Sequence, residues 1–403
     1  MNKEIRLNIV LIVTTIILGV CLVYLKNRSN IGKIISPFSF DRGIFSFFGI
    51  KEKPKKIIYG YLPWWTLHTI DELQLDKLTD IAYFGLHITE DGDFVKSLED
   101  GSLEPGYNNW VENEELNNLI EESKKNGVRF AITVISHYDD VSDKFLDCEP
   151  CWENFAKNLY SEMTKRGIEH INLNFEYAGP TEIETAKKYS KFVEFLNQEM
   201  EKMVGDSFVT VASFADSVYK PRVTSDLNAL GKAADAVFIM AYDFHRPASD
   251  NAGPVSPIEQ PGFDLTGMVE EYLSHMSPNK IIMGVPYYGY NWVVENEEPR
   301  SKRIEGSDEN GFSESQTYSD ILDLIEELEI EVQWDEHAKT PYFNYISPET
   351  ESIRQVWFEN EESLKHKYQL IKFNDLAGVG IWALGYDEGN NDFWNLLYSE
   401  FIH

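Results

Sequence analysis

The chain has 403 residues, 43% of them apolar and 13% aromatic, which is enough for a large hydrophobic core. This composition excludes an intrinsically disordered protein. The formal net charge of −31 at pH 7 argues against binding to nucleic acid or other polyanions.

The first predicted element is an apolar helix near the N-terminus. Residues 7–25 form a run of 19 residues without a charge, which is long enough to span a bilayer core. The polar stretch KNRSNIGK follows it, so the pattern favours an uncleaved anchor over a cleaved signal or a buried soluble helix. We therefore predict a single-pass membrane protein, with a stub and anchor at residues 1–28 and a basic linker at residues 29–56. The flanking charges leave the orientation open.

One pattern recurs eight times after the linker: a short run rich in β-branched and aromatic residues, a break, and an amphipathic segment. The runs cover residues 56–65, 78–88, 128–138, 170–177, 207–215, 235–245, 280–290 and 377–387. Strands that alternate with helices pair in parallel, and eight of them predict an α/β fold, the closed (β/α)8 TIM barrel, over residues 57–403. A doubly wound open sheet is the alternative, but no glycine-rich phosphate loop follows the first run, which argues against nucleotide binding.

Two cysteines precede the fourth run, in the motif CEPC at Cys148 and Cys151. One C-x-x-C motif supplies only two metal ligands, and the nine histidines show no ligand spacing, so we predict no metal site. A tight disulfide outside the cytoplasm and two free thiols inside it fit the motif equally well.

The fourth run, HINLNFEY, alternates between apolar and polar residues. The polar residues at every second position, which we call the polar parity, are His170, Asn172, Asn174 and Glu176. Helices cover the outside of a barrel, so the apolar parity must face them and the polar parity must face the interior. An antiparallel strand with one solvated face would also alternate, but the repeated strand and helix pattern removes that option. Burying a polar group costs about 1–3 kcal/mol unless it is paired, so we expect these side chains to be hydrogen-bonded.

Other runs also end in polar or aromatic residues. These are Trp64, Trp65, Ser136, His137, Tyr138, Met240, Tyr242, Asp243, Tyr287, Tyr288 and Trp382. The carboxyl ends of barrel strands form the active-site face, and aromatic rings stack on the apolar faces of sugars. Any one of these aromatic residues alone is more often part of the core. Together with an acid of raised pKa they predict a carbohydrate site.

About 90 residues separate the seventh and eighth runs, far more than one helix needs. This segment contains one helical pattern and two strand patterns. We therefore predict a small α+β insertion at residues 297–350, on the active-site face of the barrel.

The segment at residues 169–176, EHINLNFE, resembles the fourth-strand signature D-G-x-D-x-D-x-E of family 18 glycoside hydrolases, which include chitinases and related N-acetylglucosaminidases. The first, sixth, seventh and eighth runs resemble the corresponding strands of that family. Residues 355–387 resemble its spore-cortex and peptidoglycan-lytic branch in particular. The resemblance implies substrate-assisted catalysis, in which the 2-acetamido oxygen of the substrate attacks the anomeric carbon while one carboxylic acid protonates the leaving oxygen.

The same resemblance assigns roles to residues. It implies that Glu176 is the acid, that residue 174 orients the acetamide N–H, and that Tyr242 and Asp243 hold the acetamide from its other side. Asn172 and Asn174 stand where the family has aspartates. An amide at 174 can still accept the N–H bond but adds no negative charge, and family 85 endo-N-acetylglucosaminidases are similar in pairing Asn with Glu at this spacing. The expected substrate-binding residues are Asn172, Trp64, Trp65, Ser136, Met240, Tyr287, Tyr288 and Trp382.

The sequence therefore predicts a membrane-anchored, retaining glycosidase that needs no cofactor. It would cut β-1,4 linkages in an N-acetylglucosamine polymer outside the cell, either peptidoglycan or a chitin-like chain. The alternative is a catalytically inactive glycan-binding barrel, because fold alone does not fix function and the family aspartates are replaced, by Glu169 at the first position and by Asn172 and Asn174 at the other two.

Overall fold

Eight parallel strands close into a barrel in the computed structural model, which describes residues 56–177 and 179–402. This confirms the predicted (β/α)8 architecture. The barrel strands are β1 (Ile57–Pro63), β2 (Asp80–His87), β3 (Arg129–Ser136), β4 (His170–Phe175), β5 (Val209–Phe214), β6 (Ala236–Met240), β7 (Ile281–Pro286) and β13 (Gly378–Trp382). β13 lies between β7 and β1 and closes the barrel.

The α-helices connect these strands, belong to the insertion or, in one case, follow the last strand. They are α1 (Pro105–Glu112), α2 (Glu114–Asn126), α3 (Asp139–Leu146), α4 (Glu149–Arg166), α5 (Ile183–Met203), α6 (Leu227–Ala233), α7 (Leu265–His275), α8 (Tyr318–Glu327), α9 (Glu361–Phe373) and α10 (Asn391–Leu397). The ends of α2 follow from its sequence. Asn113 accepts a hydrogen bond from the backbone N–H of Leu116 at the start, and Gly127 takes a left-handed conformation at the end.

The interior of the barrel is packed with aromatic rings. Phe238 and Tyr61 lie with ring centroids 4.7 Å apart, and both are buried. Gly284 and Gly380 make room for Phe238, because a Cβ atom on either glycine would come within 2.6 Å of that ring. This aromatic core fills the barrel beneath the active-site face.

The insertion is a five-stranded antiparallel sheet with α8 beside it. Its strands are β8 (Tyr288–Val293), β9 (Glu314–Thr317), β10 (Gln333–Asp335), β11 (Thr340–Ile346) and β12 (Ile353–Trp357), in the order β10-β11-β12-β8-β9. The sheet thus extends from Tyr288 to Trp357, further in both directions than residues 297–350. The seventh sequence run therefore covers two strands, because the chain passes from β7 into β8 with only Tyr287 between them.

The predicted membrane anchor at residues 1–28 lies outside the described residues, as does the predicted linker except for Lys56. Within residues 56–177 and 179–402 no helix is long and apolar enough to cross a membrane. α5 has 21 residues, but lysines and glutamates recur along it. This finding contradicts the predictions of a single-pass membrane protein and of a membrane partner, and we do not pursue either.

Cys148 and Cys151 form a disulfide at the start of α4. The Cys148 sulfur also accepts a hydrogen bond from the backbone N–H of Cys151. The open choice between a disulfide and free thiols is therefore resolved in favour of the disulfide.

Candidate active site

The polar parity of β4 points into the barrel, and Asn172 in its lower part is hydrogen-bonded to side chains of β1, across the barrel, and of β5, the adjacent strand. The Tyr61 hydroxyl donates to Asn172 Oδ1 at 2.9 Å, and Asn172 Nδ2 donates to Thr210 Oγ1 at 2.9 Å. The Tyr59 hydroxyl lies 3.0 Å from the same Thr210 oxygen. Asn172 is fully buried, so this network supports the site from below.

The upper part of the strand leads to Glu176, the predicted acid. Asn174 Nδ2 donates to Glu176 Oε1 at 2.8 Å and lies 3.1 Å from His137 Nε2 at the end of β3. His137 Nε2 is 3.5 Å from Glu176 Oε1. About one third of the Glu176 side chain is exposed, so its carboxyl group can reach a ligand in the barrel mouth.

These neighbours shift the protonation of Glu176. Burial alone would raise the pKa of its carboxyl group. The nearby His137 imidazole, the Asn174 N–H and the charge of Arg246 together outweigh burial and hold the pKa below its ordinary value. The raised pKa predicted from desolvation is therefore wrong, because the neighbouring groups together exceed burial, although burial is the largest single influence. A general acid must carry a proton at the working pH, so the proton needs another source.

A cavity of about 230 Å³, which we call the central cavity, opens beside Glu176. It is lined by Tyr61, Asn174, Glu176, Met240, Tyr242, Asp243, Tyr288, Tyr290, Ser315, Trp382 and Tyr386. The hydroxyl groups of Tyr288 and Tyr290 both donate to Asp243 Oδ1. The Asp243 backbone has a φ of 62°, a strained value for a residue other than glycine, and these two bonds hold its carboxylate at the cavity wall.

A second cavity of about 120 Å³, which we call the side cavity, lies at Glu176 as well. It is lined by Glu176, Phe214, Ala215, Asp216, Lys220, Met240, Tyr242, Asp243, Phe244, Arg246 and Phe263. Four residues line both cavities: Glu176, Met240, Tyr242 and Asp243. The carboxyl group therefore stands where the two cavities meet.

The central cavity brings together seven of the residues predicted from the sequence: Asn174, Glu176, Met240, Tyr242, Asp243, Tyr288 and Trp382. Trp65 lies at the rim, where its ring is 6.4 Å from the Trp382 ring and its Nε1 donates to the Tyr386 hydroxyl. The neighbouring Trp64 packs against the outer core, and Asn172 lies below the cavity.

Two predicted residues face the other way. Ser136 is bonded to Ser142 of α3, and Tyr287 packs on Phe393 of α10. Side chains alternate along a strand, so only one residue of each adjacent pair can point inward, and these are His137 and Tyr288. Their predicted places in the site are corrected accordingly.

The sequence did not single out several residues of the site. Tyr61 is two residues from Tyr59, and Tyr290 is two residues from Tyr288. Residues two apart on a strand point to the same side, so the alternation along each strand would have identified both. Lys220 and Arg246 come from loops, whose course no periodicity predicts. Within the described part of the chain, no group of three or more His, Cys, Asp or Glu side chains is placed to hold a metal ion.

The model of the family described as Glycosyl hydrolases family 18 matches residues 57–387. The putative sporulation-specific glycosylase YdhD of Bacillus subtilis (strain 168) is 25% identical over 315 residues, which are 76% of this chain and 66% of that protein. The cortical fragment-lytic enzyme of the same strain is 25% identical over 287 residues, which are 70% of this chain and 62% of that protein. The chain thus spans about two thirds of the length of these relatives.

Solved structures share the fold. The spore cortex-lytic enzyme SleL of Bacillus cereus superposes with a TM-score of 0.68 at 20% identity, covering 87% of this chain and 75% of that one. The Group IV chitinase of Ostrinia furnacalis in complex with allosamidin superposes with a TM-score of 0.72 at 19% identity, covering 86% and 98%.

Proposed function

The chain belongs to glycosyl hydrolases family 18, and we propose that it is a retaining, substrate-assisted glycosidase acting on β-1,4-linked polymers that contain N-acetylglucosamine. One observation carries the proposal. Glu176 stands where the central and side cavities meet, with Asn174, Tyr242 and Asp243 around the central one. This arrangement suits an acid that protonates the oxygen between two sugars.

In the first step, a sugar with a 2-acetamido group occupies the central cavity. Its acetamide oxygen forms a bond to the anomeric carbon while the bond from that carbon to the leaving oxygen breaks. Glu176 gives its proton to the leaving oxygen. In the second step the Glu176 carboxylate takes a proton from water, whose oxygen attacks the anomeric carbon and restores the acetamide. Two displacements on one carbon retain its configuration.

The surrounding groups supply orientation and charge. The Tyr242 hydroxyl can donate to the acetamide oxygen, and Asn174 Oδ1 can accept from the acetamide N–H. Asn174 brings no negative charge to the cationic intermediate. The carboxylate of Asp243 lines the same cavity and is held by Tyr288 and Tyr290, so it can provide that charge instead.

The side cavity then receives the leaving sugar, and two basic side chains line it. Lys220 Nζ lies 3.0 Å from Asp216 Oδ2, and Asp216 is also paired with Arg222. Arg246 Nε lies 3.6 Å from Asp243 Oδ2. Lys220 and Arg246 line this cavity together with Glu176, Asp216 and Asp243, in a protein whose net charge is −31. Each of the two cations can pair with a carboxylate on a bound sugar, as in peptidoglycan, whereas neutral chitin offers no such group.

Lys220→Met is expected to lower the preference for acidic substrates. A hydrogen bond to a charged group is worth about 1.5–3 kcal/mol, less where solvent screens it, so the ratio of kcat/KM for muropeptides to that for neutral N-acetylglucosamine oligomers should fall about fivefold to tenfold. Lys202→Met is the matched control, because Lys202 is equally exposed and also paired with a carboxylate but lines neither cavity. An unchanged ratio in Lys220→Met would exclude an acidic-sugar subsite.

The competing function is glycan binding without catalysis, which the replacement of two family aspartates by Asn172 and Asn174 favours. Incubating the full chain with N-acetylglucosamine oligomers and with muropeptides separates the two functions. Product release detected by mass spectrometry supports the glycosidase. Saturable binding of the same sugars without any product would instead establish a lectin-like barrel.

A further inference from the structure

The side-chain nitrogen of Asn174 contacts two polar neighbours, Glu176 and His137. A primary amide has two N–H bonds and one carbonyl oxygen. Asn174 Nδ2 lies 2.8 Å from Glu176 Oε1 and 3.1 Å from His137 Nε2, so each N–H bond has an acceptor in this orientation. The carbonyl oxygen is then left for a further partner, such as an acetamide N–H.

This orientation is compatible with only one state of the imidazole. His137 Nε2 can accept from Asn174 only if it carries no proton. When Nε2 is protonated, two donors would face each other at 3.1 Å, and the amide must turn so that Oδ1 accepts from Nε2–H instead. The orientation of Asn174 therefore reports where the proton of the neighbouring pair resides.

His137 and Glu176 are close enough to take up protons as a pair. Nε2 and Oε1 are 3.5 Å apart, and both side chains are about one third exposed, so a small rotation brings them to hydrogen-bond distance. The single proton of the pair can reside on the imidazole, giving an imidazolium and a carboxylate, or on the carboxyl group, giving a neutral imidazole and a carboxylic acid.

We propose that His137 is a positioning residue that stores the proton used by Glu176, and that the Asn174 amide couples transfer of this proton to substrate binding. The inference rests on the proposed glycosidase function. An acetamide N–H that binds Asn174 Oδ1 holds the amide in the observed orientation, with one N–H bond directed at His137 Nε2, which then cannot carry a proton. The bond from His137 Nε2 to its proton then breaks, a bond from that proton to a Glu176 oxygen forms, and the acid is loaded as the substrate arrives.

The charged groups around the pair are compatible with this transfer. On β2, the His87 ring lies 5.6 Å from the His137 ring, and burial together with the His137 charge lowers the pKa of His87 to about 4, so His87 stays neutral above that pH. Arg222, in the loop after β5, and Arg246, in the loop after β6, are attracted to the negative charge of the Glu176 carboxylate. Tyr61 and Tyr242 also face Glu176, and burial raises the pKa of both phenols, so they remain neutral.

An aspartate at position 174 could not perform this coupling. It has no N–H bonds to donate, and its charge would compete with Glu176 for the imidazolium. Retaining an amide beside a histidine is therefore an alternative to the carboxylate that the family places at this position.

The test compares pH profiles of kcat/KM for the full chain and two variants. In the native protein, loss of the one shared proton ends activity on the basic side. His137→Gln keeps a hydrogen-bonding group but cannot store a proton, so we expect the basic limb of the profile to move to lower pH by about one unit or more. His87→Gln is the matched control and should leave the limb in place. A profile of unchanged shape in His137→Gln, whatever its height, overturns the inference while leaving the glycosidase function intact.

A second measurement is independent of turnover. Nuclear magnetic resonance follows the His137 ring signals through a pH titration in the native protein and in Glu176→Gln. Pairing predicts that the midpoint of the His137 transition falls to lower pH by at least one unit when the carboxylate is removed. Identical midpoints overturn the inference even if no substrate is cleaved.

Discussion

Glu176→Gln is expected to lower glycoside hydrolysis by about 10²- to 10⁴-fold, the usual contribution of a general acid. Glutamine preserves the size of the side chain and its hydrogen bond from Asn174, but it cannot release a proton to the leaving oxygen. Because the cavities around it are unchanged, sugar affinity should stay within about threefold, a difference of less than 1 kcal/mol. Initial rates on N-acetylglucosamine oligomers and calorimetric binding constants measure the two effects separately.

Glu169→Gln provides the control for this experiment. Glu169 is an exposed glutamate at the opposite end of β4, so its neutralisation changes the net charge equally but not the site. Native turnover in Glu169→Gln together with the loss in Glu176→Gln assigns the effect to the barrel mouth. Native turnover in Glu176→Gln would show that the acid is a different group.

Lys367→Met is expected to destabilise the fold by about 3–5 kcal/mol, because it leaves a buried carboxylate without its partner. Lys367 on α9 bonds Glu359 at 2.6 Å, and both side chains are fully buried. Burial raises the pKa of Glu359 and lowers the pKa of Lys367. The pair lies where the chain returns from the insertion to the barrel. Urea unfolding at pH 7 measures the loss.

The double variant Glu359→Leu/Lys367→Met tests the cause. Replacing both members of a buried ion pair by apolar groups of similar size is often neutral, so the double variant should regain most of the stability, to within about 1–2 kcal/mol of the native protein. If the double variant is as unstable as Lys367→Met, packing rather than the unpaired charge determines the effect.

The sequence was most informative where periodicity is strict. Eight recurring runs predicted the barrel, and the alternation of HINLNFEY predicted that Asn172, Asn174 and Glu176 face its interior. The resemblance to family 18 is confirmed by the match over residues 57–387. Each of these features is defined by the order of residues within short segments of the chain. No knowledge of distant contacts was therefore needed to predict them.

The predictions that failed depend on distant contacts or on exact register. Tyr287 and Tyr288 are equally aromatic, and only the start of β8 decides which one enters the cavity. The direction of the Glu176 pKa depends on His137, which is 39 residues away in sequence and adjacent only because β3 pairs with β4. Loop residues such as Lys220 and Arg246 meet at Glu176 through the closure of the barrel, which no local pattern specifies.

The most direct test of the proposed function is the configuration of the first product. Proton nuclear magnetic resonance can follow the anomeric signals while the full chain cleaves a β-linked N-acetylglucosamine oligomer, before mutarotation mixes the anomers. Substrate-assisted catalysis at Glu176 predicts that the β-anomer appears first, because two displacements retain the configuration of the cleaved bond. First appearance of the α-anomer would contradict the mechanism, and absence of any product alongside measurable binding would contradict the glycosidase function itself.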